Sequence, residues 1–134
     1  MEEIRIKALS KPNSEDLNSL LDWLCSVFDL ELTQKDIFKE LAKTSIRGRG
    51  ITSKELNMKL SIPRSTIIYQ LNRMIDYGFV IKKGRRYFLR NGSLKNTIEE
   101  MNEIIYRQID YMLKIAEKID NMVVYYGREK RRKY

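Results

Sequence analysis

Six residues within one short stretch, Arg64, Ser65, Thr66, Tyr69, Asn72 and Arg73, carry hydrogen-bonding groups of different length and polarity. At about 100° per residue, Ser65, Tyr69, Asn72 and Asp76 fall on one side of a helix, flanked by Thr66 and Arg73, while Ile67, Leu71 and Met74 fall opposite. Such a face offers the mixture of donors and acceptors that base edges in a major groove demand. A second set follows it: Lys82, Lys83, Arg85 and Arg86 cluster around Gly84, with Arg90 just beyond. Cations gathered at a turn can reach phosphates or enter a minor groove. Arg47 and Arg49, in a glycine-rich loop, and Thr52 and Ser53, at the start of a short helix, are further candidates for contacts to a phosphate backbone.

Other chemistries find little to work with. The sequence has no histidine, which excludes a Ser-His-Asp triad, a Cys-His pair and any His-containing zinc site. Cys25 is the one cysteine, so no intramolecular disulfide can form, and its place in an apolar helical pattern reads as core. A redox- or metal-sensing thiol would need a partner that the chain lacks. No pair of acids sits in an apolar segment that could frame a pocket, so a non-enzymatic protein without cofactor or metal is expected. No stretch approaches the roughly 20 apolar residues of a membrane span. The first residues are acidic and lack the apolar run of an export signal. A soluble, cytoplasmic protein is the expectation.

The formal net charge of +8 is less telling than its distribution. Residues 1–46 hold six Lys/Arg and nine Asp/Glu, and residues 91–127 hold four and six. Residues 47–90 hold eleven Lys/Arg against Glu55 and Asp76 alone, and the tail Arg128–Tyr134 adds five cations and one acid. The positive excess therefore lies in one central block and one terminal tag, the footprint of a polyanion-binding face.

The elements that must position these residues follow from periodicity and capping. A first helix is predicted from Glu15 to Phe28, capped by Asn13 or Ser14, with Leu17, Leu20, Leu21, Leu24 and Phe28 on its apolar stripe. A second begins at a Thr33 cap with a Leu32/Ile37 staple and buries Ile37, Phe38, Leu41 and Ala42. A third, capped by Thr52 with Glu55 three residues on, ends near Leu60 at the turn Ser61-Ile62-Pro63. A fourth runs from Pro63 to Tyr77 and stops at Gly78. Two β-prone runs, Phe79–Lys82 and Arg86–Leu89, then form a hairpin around the glycine.

After a Ser93 cap, Leu94, Ile98, Met101, Ile105, Gln108, Met112, Ile115, Ile119, Met122 and Tyr126 recur at alternating spacings of four and three. That is an unbroken heptad seam over about 50 Å of helix. It predicts a coiled-coil-like dimer interface, with Gln108 as the polar member that can set register. Flanking Ile104, Ile109, Tyr111, Ala116 and Val123 make the apolar face wider than a two-helix seam, and the first helix is the expected partner for the excess. The organisation expected is therefore residues 1–31 as helical support, 32–90 as the nucleic-acid-binding domain, 91–127 as the dimerisation helix and 128–134 as a basic tail.

The order helix, helix, Ser-x-Pro turn, helix, glycine, hairpin resembles the winged helix-turn-helix of small prokaryotic transcriptional regulators of the MarR, ArsR and TrmB type, with an archaeal member the nearest in composition. The likeness covers about Thr33 to Leu89 and rests on the Arg64-Ser65-Thr66 helix opening, Leu71 and Met74, and the Gly78-Phe79-Val80 exit. The resemblance implies a mainly α fold with a small β-hairpin wing, in which Arg64, Ser65, Thr66, Tyr69 and Arg73 face DNA and Lys83, Arg85 and Arg86 form the wing. The metal ligands of the ArsR sensors are missing, so metal regulation is not implied. The function expected is sequence-specific binding of double-stranded DNA by a homodimer, as a repressor. An architectural protein of low sequence specificity, or a winged-helix module that binds protein, are the alternatives. No membrane partner is expected, and the sequence names no small-molecule effector.

Overall fold

The computed structural model describes residues 3–133, with side chains described as far as residue 127. These residues form five helices and three short strands: α1 (Leu17–Val27), α2 (Leu32–Ile46), β1 (Ile51–Thr52), α3 (Ser53–Leu60), α4 (Arg64–Asp76), β2 (Val80–Lys83), β3 (Arg86–Leu89) and α5 (Leu94–Lys133). The fold is mainly helical with one small antiparallel sheet, ordered β1-β3-β2. The chain divides into two units, Met1–Met101 and Asn102–Tyr134.

The core of the first unit is built on three phenylalanines. Phe28 stacks on Phe79 with ring centroids 5.0 Å apart, and Phe38 meets Phe79 edge-on at 5.3 Å. Each such pair adds about 0.5–1.5 kcal/mol beyond the area it buries. Ile37, Leu41, Leu56, Ile67, Leu71, Met74 and Leu89 are fully buried around them. The apolar faces predicted for the second and fourth helices are thus the ones that pack. Cys25 joins the same core, and burial pushes its thiol pKa up to about 12, so it is a packing residue with no thiolate at neutral pH.

The helix starts depart from expectation where a stronger acceptor competes. α1 begins after Asp16, not at Glu15, because the Asp16 carboxylate accepts from the Ser19 amide at 3.1 Å and the Ser19 hydroxyl at 2.7 Å. Ser14, an expected cap, instead donates to that carboxylate at 2.5 Å. Leu17 and Leu20, placed on the apolar stripe, are exposed, and Leu21 and Cys25 carry the buried face. α2 begins after Glu31 rather than at Thr33. Glu31 and Gln34 form a reciprocal capping box, which leaves Leu32 exposed and removes the expected staple. At α3 the predicted Thr52 cap is in place, its hydroxyl accepting from the Glu55 amide at 3.0 Å.

Strand β1 has no counterpart in the sequence reading, since two residues are too few to leave an alternating signal. Ile51 lies opposite Tyr87 and Thr52 opposite Arg86, so β3 is paired on both edges. This close approach depends on Gly50. A Cβ there would lie 2.5 Å from Phe88 Cζ and 2.8 Å from Arg86 Cβ. On the other edge, Lys83 lies opposite Arg86, leaving Gly84-Arg85 as a two-residue turn with Gly84 at φ 62°.

The segment before α1 is tied down at three points. The Glu3 amide donates to the Asp76 carbonyl at 3.2 Å, the Lys7 amide to Val27 at 2.8 Å, and the Trp23 indole to the Ser10 carbonyl at 2.6 Å. Arg5 adds a cation–π contact over Tyr77 at 4.3 Å, so the segment braces the C-terminal ends of α1 and α4.

α5 starts as predicted, with the Ser93 hydroxyl accepting from the Asn96 amide at 3.1 Å. Its first two turns belong to the first unit. Thr97 and Met101 are buried and Leu94 packs on the core, so Leu94 and Met101, assigned to the dimer seam, are occupied within their own chain. The rest of the seam is open: Ile98 is partly exposed, Ile105 half-buried, and every side chain from Tyr106 to Gly127 is exposed. α1, the expected partner for the wide face of this helix, packs on α2. The backbone of residues 128–133, set apart as a basic tail, continues α5, and the side chains of that tail lie outside the described residues. Among the described residues no helix is long and apolar enough to cross a membrane.

Two stability effects follow. Gly50→Ala is expected to cost about 1–3 kcal/mol in denaturant unfolding, because Arg86 Cβ is fixed in a strand and cannot yield. Asp16 has its pKa lowered from 3.8 to about 2, chiefly by the Ser14 hydroxyl and then by Ser19. A depressed carboxylate stabilises the fold above its unfolded pKa and loses that contribution as pH falls through the folded value. The Tm of the protein should therefore fall from about pH 4 to pH 2, and Asp16→Ala should lower Tm at pH 7 while flattening that acid slope.

Candidate nucleic-acid interface

The geometry of the candidate surface starts from how α4 is held. Ile67, Leu71 and Met74 are fully buried, which turns Arg64, Ser65, Tyr69, Asn72 and Arg73 to the surface and leaves Thr66 half-buried at the edge. The rotation of the helix is further fixed by a residue the periodicity did not single out. Gln70 is buried, accepts from the Gln34 side-chain amide at 3.0 Å and donates to the Glu31 carboxylate at 2.6 Å. A glutamine on an apolar helix face was the available signal, but its partners lie 36 and 39 residues away in sequence.

The turn into α4 is built by α3. Ser61 takes a left-handed conformation (φ 55°, ψ 33°), and the Asn57 side-chain amide donates to the Ile62 carbonyl at 2.7 Å. Pro63 then occupies the cap rather than the predicted first helical position and supplies no side-chain acceptor. The first-turn amides of α4 are therefore left without a side-chain cap, unlike those of α1 and α3. Such a helix start favours an anionic oxygen.

Several of the predicted contact residues are also engaged inside the fold. Ser53 is buried, and its hydroxyl accepts from Arg64 Nε at 3.1 Å. Thr52 is half-buried, spends its hydroxyl as the α3 cap and sits in β1. Ser53 thus orients Arg64, and Thr52 starts a helix. Arg73 donates to the Tyr77 hydroxyl at 2.9 Å and lies 6.0 Å from the Tyr69 ring centroid, so guanidinium and exposed phenol lie side by side on the surface.

The four cations of the hairpin separate into two kinds. Arg86 Nη1 donates to the Gly50 carbonyl at 2.9 Å and approaches Glu55 at 3.3 Å, which ties the hairpin to the loop before α3. Lys82 and Lys83 lie over the Tyr87 and Phe88 rings at 5.6 and 5.8 Å, and both are exposed. Arg85 is exposed in the turn itself. Arg90 pairs with Glu100 at 2.8 Å and is drawn back toward the start of α5. Arg47 and Arg49 are both exposed in the loop after α2, where Gly48 takes φ 83°. α4 packs on β2, so its outer face and the hairpin belong to the same body. Of the two acids in this basic block, Glu55 is engaged by Arg86 and Asp76 lies at the far end of α4.

Among the described residues, no group of three or more potential metal ligands comes together. Comparison with known protein families, with curated proteins and with solved structures finds no match to this chain.

The buried amide network gives a direct test of how α4 is set. Gln70→Ala leaves the Gln34 amide unpaired in the interior and is expected to cost about 1–3 kcal/mol in urea unfolding. Gln70→Glu, with a second carboxylate beside Glu31, should cost more at pH 7 than at pH 4.

Proposed function

We propose that this protein is a sequence-specific regulator of transcription that binds double-stranded DNA as a homodimer through a winged helix-turn-helix, acting as a repressor. The observation that carries the reading is the outer face of α4: Ser65, Tyr69 and Asn72 exposed on a helix whose first-turn amides lack a side-chain cap, in the most basic block of the chain. In this reading α3 and α4 are the helix-turn-helix, and α4 enters the major groove with its N-terminal half. Ser65, Tyr69 and Asn72 read base edges, with Asn72 suited to adenine. Arg64, steadied by Ser53, and Arg73, steadied by Tyr77 beside Tyr69, hold phosphates at either side. The β2–β3 hairpin is the wing, with Lys82, Lys83 and Arg85 as its phosphate contacts and Arg86 as the residue that fixes it. Arg47 and Arg49, in the loop that Arg86 ties to the hairpin, extend the positive surface on that side.

A two-fold dimer paired through α5 presents two copies of α4, and two such helices reading successive major grooves, about 34 Å apart, call for a pseudo-palindromic site. The apolar seam of α5 supports the dimer, since an exposed stripe of this length is seldom left to water.

The test is fluorescence anisotropy over a salt series, with duplexes selected from a random pool by the protein and with shuffled controls. A selected duplex should bind at least about a thousandfold more tightly than its shuffled control. Asn72→Ala should cost about 1–3 kcal/mol on the selected duplex and little on the control. Lys83→Ala with Arg85→Ala should weaken both alike and lower the salt slope by about two. Equal binding to both duplexes would reject sequence specificity in favour of an architectural role, and no binding to either would reject the DNA reading.

A further inference from the structure

The open part of α5 carries more apolar surface than a two-stranded pairing can cover. With Ile105, Met112 and Ile119 in the a positions and Ile115 and Met122 in the d positions, the e positions from the second open heptad onward are Ile109, Ala116 and Val123. A two-helix seam uses a and d alone, whereas an apolar stripe over a, d and e is the pattern of a helix facing the core of a larger bundle. The exposures agree with that width. Ile109 is 48 % exposed and Val123 66 %, comparable with Met112 at 57 % and Ile119 at 53 % on the seam itself. Pairing two copies along a and d would still leave Ile109 and Val123 exposed on e, with Tyr106 and Leu113 exposed beside them on b. Together these leave on the order of 400 Å² or more on each helix, which is at the limit of what a soluble assembly leaves to water.

The charges point to further copies of the same chain rather than to an unlike partner. The polar side of the open segment alternates in sign along c and f, through Arg107, Asp110, Lys114 and Glu117, and Lys114 pairs with Asp110 of its own helix at 3.1 Å. A surface that balances its own charge selects no partner of opposite sign. Between residues 106 and 126 the a, d, e and g positions hold one charged residue, Lys118, so copies can approach with little like-charge cost. Ala116, at the middle of the e stripe, allows helices to come close.

We propose that α5 assembles four copies into one bundle, a pair of dimers joined through the e stripe of Ile109, Ala116 and Val123. The tetramer carries four α4 faces and holds two duplex segments at once. The second clause rests on the DNA reading; the first does not.

The experiment measures the mass of the full chain by native mass spectrometry and by light scattering on a sizing column, without and with duplex. The chain is 16.0 kDa, so the wild type is expected near 64 kDa. Ile109→Lys with Val123→Lys should halve this mass, since both changes fall on the second seam. Met112→Lys with Ile119→Lys should give a monomer. Neither pair touches the buried core of the first unit, and an unchanged circular dichroism melt checks that. A bead-bound duplex should capture a second, labelled duplex through the wild type and not through the Ile109/Val123 variant, which should still bind one. A wild type of about 32 kDa at all concentrations overturns the bundle. A monomer, whether free or bound to lipid vesicles, overturns both the bundle and the dimer. A tetramer that binds no duplex at all leaves the bundle standing and removes the DNA reading, whereas one that binds the bead-bound duplex and captures no second overturns the two-duplex clause alone.

Discussion

The orientation of one helix governs what this surface can do, and a buried hydrogen bond between two glutamine side chains fixes that orientation. Apolar packing of Ile67, Leu71 and Met74 specifies which side of α4 faces inward, but apolar contacts tolerate some rotation and slip. The bond from Gln34 to Gln70 does not, because either amide left unpaired in the interior would cost as much as several methylene contacts. The same Gln34 closes the cap of α2 and the same Gln70 reaches Glu31, so the start of α2 and the middle of α4 are set by one network. Everything on the outer face, from Arg64 to Arg73, inherits its direction from that constraint.

Much of this arrangement was legible in the sequence because helical periodicity reports burial directly. The inward face of α4, its end at Gly78, the hairpin turn and the Thr52 cap all appear where spacing and turn chemistry place them. What was not legible involves choices between local acceptors and partners distant in sequence. Asp16 competes with Ser14 for the same helix start, and an ionised carboxylate is the stronger acceptor. Glu31 displaces Thr33 because Gln70 and Gln34 both engage it, and no window of sequence contains all three. Ser53 read as a surface hydroxyl and proved to be buried, since β1 and the packing of α3 cover it. The heptad of α5 was visible throughout, yet periodicity does not say which core an apolar residue joins. Leu94 and Met101 keep the repeat while packing within their own chain.

The central cations illustrate a division between structure and binding that composition conceals. Of the eleven basic residues in residues 47–90, Arg86 and Arg90 are spent on Glu55 and Glu100, Lys59 pairs with Glu40, and Arg64 and Arg73 are steered by Ser53 and Tyr77. These exposed and half-exposed pairs add little stability, but they hold guanidinium groups in defined directions. The unsteered group, Arg47, Arg49, Lys54, Lys82, Lys83 and Arg85, lies in the loop after α2, at the start of α3 and around the hairpin turn. A phosphate backbone needs only charge from such residues, whereas base edges need fixed geometry. Both cations of α4 are among the steered ones, and the proposed reading of base edges by that helix is where fixed geometry would have a use.

α5 joins two roles in one continuous helix. Its first two turns complete the core with Thr97 and Met101, and the Ser93 cap and the Arg90–Glu100 pair hold that end. From Tyr106 to Gly127 every side chain is exposed, and an amphipathic helix of that length gains stability in water mainly by burying its apolar side. Left alone, the exposed stretch from Tyr106 to Tyr126 would solvate its isoleucines, methionines and tyrosines at a cost of roughly 25 cal/mol for each Å². Self-association is the route by which a single chain recovers that free energy without a second protein. It also determines how many α4 faces one particle presents, so the folding requirement of α5 and the valency of the α4 surface become the same physical question.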